Sequence, residues 1–123
     1  MDNYLSVLED SLKKKLQILD ELTDYTMQQQ ELLKVEELDY EAFDRLVDQK
    51  EPLIQKIMEL DQGFETVYDR IKEQLLGNKE QYAAQIRALQ SLIGELTDKS
   101  VKLQTMEQRN KSCLLYTSPS PRD

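Results

Sequence analysis

The chain has 123 residues, with 24 acidic against 16 basic side chains, a formal net charge of −8 and no histidine. That length suits one domain. The acidic balance argues against nucleic acid, whose phosphates need clustered Lys and Arg, and the missing imidazole removes the usual general base, His-bearing metal sites and Ser-His-Asp or Cys-His catalysis.

The opening MDNYLSVLED lacks a signal peptide's basic start and apolar stretch, and no apolar run approaches the roughly 20 residues that span a bilayer. A soluble, intracellular, non-catalytic helical protein is therefore expected. In the first element Leu5, Leu8, Leu12, Leu19, Leu22, Thr26 and Leu33 fall on alternating steps of three and four, which keeps them on one helical face. Leu16 and Ile18 widen that stripe, while Lys13, Lys14, Asp20, Glu21 and Asp24 face outward. The spacing predicts a helix over 3–37.

Asp39 is placed to cap a second helix over 40–76, and Glu41 suits the positive end of its dipole. Its stripe holds Phe43, Leu46, Leu53, Ile57, Leu60, Phe64, Val67 and Ile71, interrupted by Lys50. Pro52 lies inside it. A mid-helix proline loses one hydrogen bond and crowds the preceding turn, but the register runs on across it. A kinked single helix is expected, with a break at Lys50-Glu51 as the competing reading.

Gly77-Asn78 marks the next boundary, with glycine suited to a left-handed helix end and Asn78 to capping a third helix over 79–111. Gln81 is spaced to complete a capping box. The third stripe is Tyr82, Ile86, Leu89, Ile93, Leu96 and Leu103, then polar Glu107 and Asn110. Three such helices joined by turns of a few residues predict an all-α fold, an elongated antiparallel bundle or coiled coil.

The last eleven residues, Cys113 to Asp123, resemble the conceptual translation of a transposase-type sequencing adapter, residue for residue. On that likeness residues 1–112 are the native helical domain, ending short of the gene's own C-terminus, and 113–123 are an artefact expected to be disordered. Ser112 falls at the junction. A natural Ser-Pro linker is the alternative. Without this segment the chain has no cysteine, so cysteine usage does not indicate a redox compartment.

Reaction chemistry finds little support. Di-metal helical sites normally use an inward Glu-x-x-His, and the acids here lie mainly outside the stripes, as solvated surface does. Lys13-Lys14-Lys15 is flanked by Glu9, Asp10, Asp20 and Glu21 and reads as ion-paired surface. No cofactor, metal or catalytic residue is assigned. What remains is recognition through apolar surface. Ile18, Val47, Ile54, Leu76, Leu92 and Val101 lie beside the main seams, where they either broaden the core or line a groove for another amphipathic helix.

The pattern N-Y-L-x-x-L-E-x-S-L-x-x-K over Asn3–Lys15 resembles clostridial members of the FlgN-like family of flagellar export chaperones. So do Asp39–Asp44, the Lys50–Ile54 region and Leu60–Phe64. The resemblance covers essentially all of residues 1–112. It implies a cytoplasmic, non-enzymatic chaperone that binds hook-associated proteins, the hook–filament junction subunits, before their flagellar type III secretion. Export-apparatus components and a second copy of the chain stand open as further partners.

In that family client binding is generally attributed to the C-terminal helical part. The resemblance thus points to Leu92, Leu96, Leu103 and Met106 as partner-binding residues, a bundle-core role being the other reading. With that part cut short, the 123-residue chain is expected to bind client below full strength. A FliT-like chaperone of the filament cap and a structural coiled coil that oligomerises through its heptads are the alternative functions.

Overall fold

The computed structural model describes residues 2–34 and 37–117. Three helices account for most of them: α1 over Asp2–Leu33, α2 over Tyr40–Gly77 and α3 over Ala83–Thr117. At about 1.5 Å per residue each is a rod of roughly 50 Å. The helix α1 packs against both of the others, whereas no Cα of α2 comes within 8 Å of a Cα of α3 among the described residues. Lys15 Nζ donates to Asp61 Oδ1 at 2.7 Å, and Lys50 Nζ to Gln29 Oε1 at 3.0 Å, so α2 runs antiparallel to α1. Lys99 pairs with Asp20, and Asn110 Nδ2 donates to the Thr26 carbonyl at 3.1 Å, so α3 runs parallel to α1.

The first stripe is the spine of the molecule. Leu5, Leu8, Leu12, Leu19 and Leu22 are buried, joined by Ile71 and Leu75 of α2 and by Leu89 and Leu96 of α3. Tyr82, just ahead of α3, is buried with them. This apolar cluster runs from the end where α2 turns into α3 along α1 as far as Leu22. Along the middle of α2, Leu53, Ile57, Leu60, Phe64 and Val67 are only half-buried, since α2 has just one neighbouring helix to pack against. Phe64 and Tyr68 stack there with ring centroids 6.2 Å apart.

Asp39 caps α2 as expected. Its backbone is extended, and its carboxylate accepts from the Ala42 N–H at 3.0 Å, which satisfies one of the orphan amides of the first turn. Pro52 lies within α2, which continues across it, so the break at Lys50-Glu51 does not occur.

The boundaries differ from expectation chiefly at the end of α1, at the α2–α3 turn and at the end of α3. The helix α1 stops at Leu33 rather than residue 37, and the Lys34 N–H closes back onto the Glu31 carbonyl at 3.2 Å. No basic side chain stands in its last turn to offset the negative end of the dipole. Asn78 serves the end of α2 instead of starting α3, its side chain donating to the Gln74 carbonyl at 2.7 Å and its backbone N–H to that of Leu75 at 3.3 Å. The capping box with Gln81 is therefore replaced by a turn over 78–82, and α3 begins at Ala83. Nor does Gly77 adopt the left-handed conformation: no positive φ occurs among the described residues.

At the other end α3 extends past residue 111 to Thr117, into the segment expected to be disordered. No glycine or proline intervenes before Pro119, and Cys113-Leu114-Leu115 is compatible with continued helix. Residues 118–123 of that segment lie outside the described residues.

Candidate functional site

The interruptions in the three stripes meet. Thr26 and Gln29 of α1, Lys50 of α2 and Asn110 of α3 are all buried, at 0, 3, 6 and 5 % exposure. Lys50 extends its ammonium to Gln29 and, in a short ion pair, to Glu107 of α3. The Thr26 hydroxyl lies 2.7 Å from the Leu22 carbonyl and 3.1 Å from Glu107 Oε1 and has one proton to share between these two acceptors, while Asn110 donates to the Thr26 carbonyl. A buried ammonium is costly unless paired and hydrogen-bonded. Here it has one acceptor on α1 and one reaching across from α3, where Glu107 is half-exposed.

Thr26, Lys50, Glu107 and Asn110 each stand out as breaks in an apolar stripe, but nothing in a single stripe says that they share a layer. Position does hold a clue. Gln29 and Lys50 are nearly equidistant from the turn at Asp39, and Lys50 and Glu107 from the turn at Asn78, so folding the chain at those turns stacks them.

Beside this layer α2 and α3 stand apart, and a groove of about 680 Å³ opens between them. Leu22 and Gln29 of α1 contribute to its floor, Phe43, Val47 and Ile54 line its α2 wall, and Leu103, Gln104 and Lys111 its α3 wall. Val47 and Ile54, seven residues apart on one face of α2, are 41 and 46 % exposed. Leu114 also reaches the groove.

The six off-seam residues divide between their two readings. Ile18 is buried and Leu92 packs against the core, whereas Val47, Ile54, Leu76 and Val101 are exposed. Of these, Val47 and Ile54 line the groove. The four α3 residues expected at a partner surface are also dispersed. Leu96 belongs to the buried core, Leu92 and Leu103 pack against it half-buried, and Met106 is half-buried near the polar layer. Leu103 alone of the four reaches the groove. Ile93, placed on the third stripe, is 45 % exposed because α2 does not close over it. The part played by Phe43 as a groove wall went unforeseen, since its stripe position marks it simply as core.

Among the described residues no group of three His, Cys, Asp or Glu is arranged to hold a metal ion, and no helix is long and apolar enough to cross a membrane. Of the three lysines, Lys13 pairs loosely with its flanking Glu9 at 3.9 Å, whereas Lys15 pairs with Asp61 of α2 instead of a flanking acid. The described residues thus form a three-helix scaffold with a groove that combines apolar and polar side chains.

The chain belongs to the FlgN protein family, whose model matches residues 1–116. That family consists of flagellar export chaperones, acting in the assembly of the bacterial flagellum. No curated protein and no solved structure matches the chain.

Proposed function

We propose that this flagellar export chaperone binds hook-associated proteins, the subunits of the hook–filament junction, in the cytoplasm before their type III secretion. The family match over residues 1–116 carries the reading. The client would be held through its helical ends, which prevents premature assembly, and then released to the export gate. No bond is made or broken in such a role, and no cofactor is needed. Client contact on α3 is proposed for Leu92, Leu103 and Met106, which are half-buried, whereas Leu96 belongs to the buried core.

The test is co-purification of the full-length protein with secreted flagellar proteins of its host. Retention of a junction protein is the expected result. Failure to retain any junction protein sinks the proposal, and retention of the filament-cap protein instead would move the chain to the FliT-like role. Light scattering addresses the structural coiled-coil alternative: a tight, concentration-independent oligomer without client would count for it.

A further inference from the structure

An acidic row borders the α2 side of the groove: Glu51 lines it, and Asp44 and Asp48 stand beside it. On α2, Asp44, Asp48 and Glu51 follow one another at i, i+4 and i+7, a single row along the helix beside Val47 and Ile54. All three are exposed, and none forms an ion pair among the described residues. The facing wall of α3 presents the uncharged Gln104 and Gln108 and Glu107, whose carboxylate is paired with Lys50, with Lys111 nearer the end of the groove. Lys50, between the walls, is already committed to Gln29 and Glu107.

From this arrangement we infer that the groove takes an amphipathic helix with a basic flank: an apolar stripe seated on Val47, Ile54 and Leu103, and Lys or Arg along the edge that meets Asp44, Asp48 and Glu51. The inference rests on the chaperone reading and adds to it the chemistry of the client segment. Phe43 to Ile54 covers about 16 Å of helix, so the occupant needs roughly three turns in contact. Like charges placed together oppose docking, whereas complementary potentials favour it and fix orientation. A second copy of this chain fits poorly for that reason. It carries a net charge of −8, and its own exposed Val47–Ile54 strip brings the same acidic row with it. Leu114 lies in the adapter-like stretch, and the site is complete without it.

The test uses two synthetic helical peptides of roughly 18 residues, about five turns, with an identical Leu/Ile stripe, one flanked by Lys and the other by Glu. Each is titrated into the full chain by fluorescence anisotropy. The Lys-flanked peptide should bind at least about tenfold tighter at low salt, and the gap should close near 0.5 M NaCl, where screening acts within a few ångströms. The exposed-site variant Val47→Asp/Ile54→Asp should lose both peptides while keeping its helical circular dichroism. Asp48→Lys/Glu51→Lys should reverse the preference, and Asp48→Asn/Glu51→Gln should abolish it if the lysine variant does not fold.

Equal binding of the two peptides, or a preference unmoved by these charge changes, overturns the inference. So does a dimer of the full chain that dissociates on Val47→Asp/Ile54→Asp, which would assign the groove to a second copy. Retention of a junction protein by the Val47→Asp/Ile54→Asp variant removes this site and leaves the chaperone role intact. Failure of the unaltered protein to retain any junction protein removes the role itself.

Discussion

The two ends of the bundle are built on different principles. Where α2 turns into α3, Leu5, Leu8, Ile71, Leu75 and Leu89 are under a tenth exposed and form an apolar cluster. Toward the opposite end the same three helices are joined by Thr26, Gln29, Lys50, Glu107 and Asn110, and the groove lies alongside. Apolar burial is non-directional and contributes about 25 cal/mol per Å². A polar layer contributes little net stability but is satisfied in only one geometry. The apolar cluster, which is densest at the first end, therefore supplies most of the stability. The second end fixes helix register while leaving α2 and α3 apart.

This contrast can be broken most forcefully at Leu8, which is 0 % exposed. Leu8→Ala should cost about 2–5 kcal/mol, read by urea unfolding followed by circular dichroism, because a cavity opens in the closed end. A loss under about 1 kcal/mol would remove that end from its role. Next in size is Glu107→Leu, which leaves the Lys50 ammonium with only Gln29 and should cost about 1–3 kcal/mol. Adding Lys50→Met should recover most of that loss, since an apolar pair of similar volume often matches a buried ion pair. If the double variant is no better than the single, the layer is held by something other than this pair.

At the α1–α2 turn, Asp39→Ala removes the cap on Ala42 and should lower stability by about 1 kcal/mol in the same unfolding assay. The smallest expected effect is a gain. A Cβ at Gly63, within α2, would meet nothing within 4 Å, so Gly63→Ala should raise stability by about 0.5–1 kcal/mol. Hydrogen exchange sharpens the comparison directly. Amides around Leu8 and Ile71 should exchange only on global unfolding, and those around Val47 and Gln104 through cheaper local openings. Equal protection at both ends would contradict the division.

Much of the fold was legible because helical stripes are a local property. The apolar positions of α1 followed from a period of 3.6 residues, and Asp39 from the chemistry of a carboxylate beside free amides. The second boundary was less legible. Asn78 can serve the helix before it or the one after it, and the carbonyls of Gln74 and Leu75 were the nearer partners. The candidate site was legible only in pieces. Val47 and Ile54 stood out as off-seam aliphatics and Lys50 as a break in its stripe. Leu96 shows the limit of that approach, because nothing along α3 distinguishes a leucine that enters the core from one that faces a groove.

We also propose that Cys113–Asp123 is adapter-derived. Recovering the same codons from genomic DNA beyond codon 112 would refute this, whatever the helical state of residues 113–117. By itself the sequence determined three amphipathic helices, an acidic surface, the lack of imidazole chemistry and the family. Only the tertiary structure decided that α1 is the shared partner, that Thr26, Lys50, Glu107 and Asn110 form one layer, and that α2 and α3 leave a groove. The reason is physical: periodicity is set by neighbours along the chain, whereas burial and pairing depend on which helices meet across space.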